Sequence, residues 1–287
     1  MKNILKKSDL SISSELGIYS NLYKDIYFDK KHGIKETQHN FIKANNLASR
    51  FKKSDKFIIS ELGFGTGLSF LMTLKLWKET KKPNAKLIYI SFESAPLTKI
   101  ELNNVYKKVS GVKILFNQLI KKLPILYQST HRIFFDSENV ELILIYDDFN
   151  SLKNFKFKAD AWFLDGFAPK KNKSAWNSKL FEQIYLSTKF QGTFSTFTSA
   201  GHVRRGLSNS GFSVSKVAGF GNKKESLIGI KKPPLSKINK VSSSKKYIGP
   251  VAIIGSGISG ASLAYSLRKR NIECFVVDKS SKYASGA

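Results

Sequence analysis

Two short glycine-rich turns carry the clearest chemistry in this chain, and they differ in one charge. The first is Ser60-Glu61-Leu62-Gly63-Phe64-Gly65-Thr66-Gly67-Leu68, lying between an apolar run and a helical pattern. Glycines at alternate positions let backbone pass close to a ligand, and a helix start offers unpaired N–H groups. The acid Glu61 at the head of this turn argues against a phosphate, because two negative groups would repel. A cationic ligand carrying a carboxylate, such as S-adenosylmethionine, fits better: Gly63, Gly65 and Gly67 accommodate its methionine portion while acids bind its ammonium and ribose. The second turn is Gly255-Ser256-Gly257-Ile258-Ser259-Gly260, which no acid precedes, and Asp278 follows 18 residues after Gly260. Strand, turn, helix, strand and acid in this register form the dinucleotide fingerprint, with pyrophosphate on the helix start and ribose on Asp278.

Further acids stand at the ends of apolar runs, where a doubly wound sheet places its ligands. Glu93 closes Ile88-Tyr89-Ile90-Ser91-Phe92 and is expected to accept ribose hydroxyls, while Asp147, in Asp147-Asp148, closes Leu142 to Tyr146 and could accept an adenine amino group. Asp165 ends Ala161-Trp162-Phe163-Leu164 and precedes Gly166 and Phe167. At that place it could accept a hydrogen bond from a substrate ammonium and, with a raised pKa, remove its proton. Phe167 and Trp176 are candidates to stack on a base. Arg204, Arg205, Lys223 and Lys224 sit beside glycines and are candidate phosphate contacts.

The elements that must position these residues read as an alternating α/β chain. Strands are expected at 57–60, 87–92, 141–146, 161–164, 193–198 and 213–216, and helices near 68–78, 97–107, 175–186 and 203–209. Residues 131–136 and 141–146 flank Ser137-Glu138-Asn139 as a hairpin. The fold class that follows is an α/β doubly wound sheet of the class I methyltransferase, Rossmann-like type over residues 1–232. A polar, lysine-rich and Pro-bearing stretch at 233–247 reads as a linker, and 248–287 as the first βαβ unit of an FAD-binding Rossmann domain.

Composition bounds the partners. The formal charge is +27, from 48 Lys and Arg against 21 Asp and Glu. Codon bias would scatter solvated lysines without meaning, but so few acids favour a basic field suited to a polyanion. Cys274, the single cysteine, has no partner for a disulfide or a cysteine-based zinc site. The four histidines show no metal-ligand spacing, so no metal is expected. The N-terminus lacks the apolar stretch of a signal peptide and no run approaches the roughly 20 apolar residues of a membrane span, which predicts a cytoplasmic protein.

With these residues in hand, the chain resembles the bifunctional bacterial tRNA 5-methylaminomethyl-2-thiouridine biosynthesis proteins. The resemblance runs through Asp25-Ile26-Tyr27-Phe28, Gly33-Ile34-Lys35-Glu36-Thr37, Glu61 to Phe70, Ser91-Phe92-Glu93, Asp160 to Pro169, Thr196 to Gly206, and Gly219 to Glu225. It implies methyl transfer from S-adenosylmethionine to the primary amine of 5-aminomethyl-2-thiouridine at the tRNA wobble position. It also implies an FAD domain that oxidatively removes a carboxymethyl group from the precursor. Carried over, Glu61, Gly63, Gly65, Gly67, Glu93 and Asp147 line the methyl-donor site and Asp165 orients or deprotonates the amine. The sequence stops early in the FAD domain, so flavin oxidation by these residues alone is not expected. Two rivals are a catalytically inactive basic RNA-binding module, against which the intact acid-glycine turn argues, and a flavin-dependent oxidoreductase working at Gly255 to Gly260.

Overall fold

Strands that are apolar on both faces need helices on both faces, and the central strands here are of that kind. In Ala159–Leu164, for example, Ala161 and Phe163 pack into one core while Trp162 and Leu164 pack into the other, all at most 1% exposed. The computed structural model describes residues 5–13, 17–28, 31–109, 111–232 and 249–279. The chain divides into two compact units, Met1–Pro233 and Pro234–Ala287. The expected linker at 233–247 lies outside the described residues.

The first unit opens with three four-residue strands, β1 (Leu10–Ser13), β2 (Gly17–Ser20) and β3 (Asp25–Phe28), paired antiparallel in a small sheet. A short helix α1 (Gly33–Thr37) runs directly into a π-helical turn at Gln38–Lys43, followed by α2 (Leu47–Phe51). Then come β4 (Lys56–Leu62), α3 (Leu68–Thr80), β5 (Lys86–Glu93), α4 (Lys99–Tyr106), α5 (Lys113–Lys122), β6 (Thr130–Phe135) and β7 (Val140–Tyr146). The unit closes with β8 (Ala159–Leu164), α6 (Ser178–Leu186), β9 (Thr188–Thr196), α7 (Gly201–Asn209), β10 (Ser213–Ala218) and β11 (Glu225–Ile230).

The large sheet has the order β10-β11-β9-β8-β4-β5-β7-β6. Its five central strands are parallel, while β6 and the β10–β11 pair run antiparallel at the edges. From β4 the chain builds outward through β5 to β7, then returns to lay β8 and β9 on the other side of β4. The strand order therefore reverses between β4 and β8, and the carboxyl ends of those strands are where a ligand crevice is expected. The register aligns Leu62 with Leu164, which sets the first glycine turn beside Asp165.

All six expected strands and the hairpin are present. The structure corrects the account elsewhere. The 193–198 strand begins earlier, at Thr188, and an unforeseen strand, β11, opens at Glu225 and lies between β9 and β10. The helix expected over 175–186 starts at Ser178, because Asn177 caps it by accepting from the Leu180 N–H at 3.0 Å. The small N-terminal sheet, α1, α2 and α5 were not foreseen.

In the second unit, β12 (Val251–Ile254) and β13 (Cys274–Val277) pair in parallel around α8 (Ile258–Arg268). This is the expected βαβ unit.

Candidate functional site

A cavity of about 250 Å³ opens at the reversal point, lined by Gly63, Phe64, Gly65, Thr66 and Ser69 from the first turn and α3, by Glu93 and Ser94 after β5, and by Asp165 to Ala168 after β8. The turn needs its glycines. Gly63, Gly65 and Gly67 have φ of +90°, +51° and +79°, in the left-handed region that side chains disfavour. A Cβ at Gly63 would stand 3.0 Å from the Asp165 carbonyl oxygen, and one at Gly65 would stand 3.1 Å from the Tyr27 ring. Gly67 serves packing instead, since a Cβ there would meet the Phe64 ring at 2.9 Å.

The acids around the turn have separate surroundings. Glu93 accepts from the Gly65 N–H and the Ala95 N–H, each at 2.8 Å, so its carboxylate ties the turn to the end of β5. Burial raises its pKa and those backbone donors hold it partly down. Glu61 lies beneath the turn and is only 1% exposed, accepting from the Ser91 hydroxyl at 2.7 Å. Burial first, then the neighbouring Asp165, pushes its carboxyl well above the usual range. It is absent from the cavity lining, unlike Glu93 and Asp165. Asp147 also stands apart from the lining, accepting from Gln128 at 3.0 Å and from the Asp148 N–H at 2.8 Å.

Asp165 is the group that the site perturbs most usefully. Its carboxyl is raised from 3.8 to about 8, chiefly by burial and then by the charge of Glu36, while Lys223 and a 3.4 Å hydrogen bond from the Ser69 hydroxyl oppose the rise. An acid in that range exchanges its proton near neutral pH, as a general base must.

The N-terminal sheet supplies one wall. Tyr23 stacks on Phe167 with centroids 4.5 Å apart, and Tyr27 meets the same ring edge-on at 5.0 Å. Asp25 accepts from the Ala168 N–H at 2.9 Å and pairs with Lys171 at 3.1 Å, fixing the loop after β8. Phe167 thus lines the cavity as part of an aromatic cluster. Trp176 corrects the expectation of a second stacking ring: it is 5% exposed and its indole N–H donates to the Phe167 carbonyl at 2.7 Å, holding that loop from behind. Of the four basic candidates only Lys223 lines the cavity; Arg204 and Arg205 are exposed on α7, and Lys224 is exposed in the β10–β11 loop.

The second glycine turn is open. Gly255 has φ +98°, nothing lies within 4 Å of a Cβ built at Gly255 or Gly257, and a Cβ at Gly260 would strike the Gly255 carbonyl at 1.9 Å. Gly260 thereby permits the helix to approach the strand, and Gly257 caps α8 with no side-chain acceptor, which leaves N–H groups suited to a pyrophosphate. Asp278 accepts from the Ser256 hydroxyl at 2.7 Å, placing the expected ribose acid at the turn. Among the described residues no group of three or more His, Cys, Asp or Glu could hold a metal ion, and no helix is long and apolar enough to cross a membrane.

Comparison with known proteins agrees with this geometry. Residues 110–232 match a family described as S-adenosyl-L-methionine-dependent methyltransferase, and residues 253–286 match an NAD(P)-binding Rossmann-like domain. The tRNA 5-methylaminomethyl-2-thiouridine biosynthesis bifunctional protein MnmC of Marinomonas sp. is 38% identical over 300 residues, covering 99% of this chain and 44% of that protein. The chain is similar to the MnmC proteins. The counterpart from Marinobacter nauticus is likewise 38% identical, over 92% of this chain and 42% of its own length. The chain thus spans less than half the length of these MnmC relatives. The crystal structure of MNMC2 from Aquifex aeolicus shares the fold, with TM-score 0.63 at 23% identity over 82% of this chain and 74% of that one.

Sequence reasoning missed Tyr23, Asp25, Tyr27, Glu36, Asn40, Thr66 and Ser69 as cavity residues. The only signal for Asp25, Tyr27 and Glu36 was that Asp25 to Phe28 and Gly33 to Thr37 carry the family resemblance.

Proposed function

We propose that this chain transfers a methyl group from S-adenosylmethionine to the primary amine of 5-aminomethyl-2-thiouridine at the tRNA wobble position. The observation that carries the reading is Asp165, raised to about 8 and lining the same cavity as the glycine turn. The name of the MnmC relatives points to the product, and the methyltransferase family match points to the donor.

The residues fit the donor. Gly63 and Gly65 leave room for close approach at the turn, Glu93 stands at the end of β5 as a polar acceptor, and the Tyr23, Tyr27 and Phe167 rings form the apolar wall. S-adenosylmethionine supplies a methyl on a positively charged sulfur that leaves as a neutral thioether. An alkylammonium has no lone pair with which to attack that methyl. Asp165 takes the ammonium proton onto its carboxylate, freeing the nitrogen pair to form the new N–C bond, and Ser69 fixes the carboxylate's direction. Holding the amine in line supplies the larger share of the acceleration. The exposed Arg204, Arg205 and Lys224 are the tRNA phosphate contacts in this reading. FAD at Gly255, Gly257, Gly260 and Asp278 belongs to the same proposal; the residues present fit a dinucleotide's pyrophosphate, and no step of methyl transfer passes through it.

The test is transfer of labelled methyl from S-adenosylmethionine to tRNA bearing 5-aminomethyl-2-thiouridine, with nucleoside analysis of the product. Incorporation into that nucleoside supports the reading, whereas a protein that binds no S-adenosylmethionine overturns it.

A further inference from the structure

The helical segment that precedes the glycine turn contributes two oxygen acceptors to the cavity that the reaction above does not use. Glu36 sits on α1 and Asn40 one turn later in the π-helical segment, and both line the cavity. Residues four apart share a helix face, and π turns recur where a helix re-aims a functional side chain. Asn40 is 2% exposed, and among the described residues its Oδ1 has no hydrogen-bond partner. A buried, unpaired polar atom is costly unless something occupies it. Glu36 does have a partner: it accepts from Lys223 Nζ at 3.0 Å, with the two side chains 23% and 48% exposed. Lys223 stands 4.6 Å from the Phe197 ring centroid, on the loop between β10 and β11. That loop is braced against the same helical segment, because His39 Nε2 lies 2.8 Å from the Ala218 carbonyl and its ring packs against Phe220.

From this we infer that Glu36 and Asn40 are the specificity-determining contacts for the acceptor's amine, and that Lys223 is the cation that pairs with Glu36 until substrate arrives. The inference rests on the proposed methyl transfer and adds to it the identity of the acceptor pocket. A protonated primary amine brings three N–H donors. Glu36, Asn40 and Asp165 offer three acceptor side chains lining one cavity, whereas a hydroxymethyl group of similar size brings one donor and no charge. Exchange of one cation for another keeps Glu36 paired throughout and lets Lys223 swing into solvent. The charges meeting there are Glu36 from α1, Lys223 from the β10–β11 loop, Asp165 from the end of β8 and Glu93 from the end of β5; Asp25, from β3, is already paired with Lys171. Glu36 raises and Lys223 lowers the Asp165 carboxyl, so both charges reach the reacting centre.

Calorimetric binding of 5-aminomethyluridine and 5-hydroxymethyluridine to the full chain, saturated with S-adenosylhomocysteine, tests this. The wild type should prefer the amine by about tenfold or more, the size of one charge-assisted contact. Glu36→Gln, nearly isosteric, and Asn40→Ala should each reduce that preference several-fold while leaving S-adenosylhomocysteine affinity within about twofold. Lys223→Met should move the other way and tighten binding of the amine nucleoside, since the competing cation is gone; a residue serving only as a phosphate contact would leave this small probe unaffected. If the wild type shows no preference, or if the preference survives Glu36→Gln in a protein with normal thermal melting, the acceptor assignment is overturned while the methyl-donor reading stands. Failure of the wild type to bind S-adenosylhomocysteine would instead remove the methyl-transfer reading itself.

Discussion

The two glycine-rich turns are alike as sequence and unlike as places. Both follow a strand and open a helix, and both use a left-handed glycine, Gly63 at φ +90° and Gly255 at φ +98°. Around the first, a Cβ at Gly65 would press on Tyr27, Glu93 grips the Gly65 N–H, and Asp165 stands one strand away. Around the second, Gly255 and Gly257 face open space, and Ile254 and Ile258 are 91% and 75% exposed. A glycine spacing specifies how the backbone bends. What makes a bend into a site is the set of side chains that other parts of the chain bring to it, and the first unit brings them from four strand ends and an N-terminal wall.

The largest effect should come from the group that most distinguishes the first turn. Asp165→Asn keeps size and removes charge and basicity, so methyl transfer should fall roughly 100-fold or more with S-adenosylmethionine affinity nearly unchanged. In the wild type, the deprotonated fraction of a group titrating near 8 drops about tenfold per pH unit below that value, so turnover should climb from pH 6 and level off above about 8. Stability runs the opposite way. The folded chain holds the Asp165 proton up to about 8, whereas the unfolded chain releases it near 3.8. Between those values the unfolded state binds fewer protons, so the wild type loses stability as pH rises through the window. Asn has no such loss, and its melting temperature relative to wild type should increase from pH 4 to pH 8. Equal turnover of mutant and wild type across pH 6 to 9 would remove Asp165 from the mechanism.

Next in size is the turn itself. Gly65→Val places a branched side chain at φ +51° and against Tyr27, where the methionine portion of the donor should pass. S-adenosylmethionine affinity should fall at least tenfold, with the far-ultraviolet circular dichroism of a folded domain retained. A variant with wild-type affinity would make the turn purely structural.

How much of this was legible depends on what kind of signal each residue gives. The parallel strands announced themselves as apolar runs, because strands covered on both faces must be apolar throughout. Asp165 and Glu93 were readable because a sheet puts its ligands at strand ends, so an acid closing such a run has a known destination. Glu61 closes a run in the same way, yet it is buried against Ser91 and does not line the cavity; strand position fixes where the backbone ends but not which face a final side chain takes. Glu36, Asn40 and Asp25 lie in short helical segments and a four-residue strand, and Tyr23 in the turn between β2 and β3, all too short for any periodicity to register. Their contribution arises from packing between parts of the chain far apart in sequence, as when Asp25 caps Ala168 across 143 positions.

A smaller effect concerns the basic surface. If Arg204, Arg205 and Lys224 each meet a tRNA phosphate, replacing any one should lower the slope of log affinity against log salt by about one unit, without altering binding of S-adenosylmethionine. Filter binding of tRNA between low and physiological salt measures this, and affinity indifferent to salt would return the +27 charge to codon bias.

The smallest effect should come from the second turn, and it sharpens the comparison most directly. Gly257 has φ −64°, a value open to any residue, and a Cβ there meets nothing within 4 Å. Alanine loses a little as a helix N-cap relative to glycine, by a few tenths to about 1 kcal/mol. It regains about 0.4–1 kcal/mol by restricting the unfolded chain. These contributions nearly cancel, so Gly257→Ala should leave thermal stability, S-adenosylmethionine affinity and methyl transfer unchanged within error. Gly65→Ala, the same chemical change in the first turn, should weaken donor binding, because φ +51° strains any side chain and the Tyr27 ring stands 3.1 Å from the added carbon. Side-by-side calorimetry of the two alanine variants decides the matter. If Gly257→Ala impaired methyl transfer as much as Gly65→Ala, the two turns would be parts of one functional unit, and the contrast drawn from their surroundings would fail.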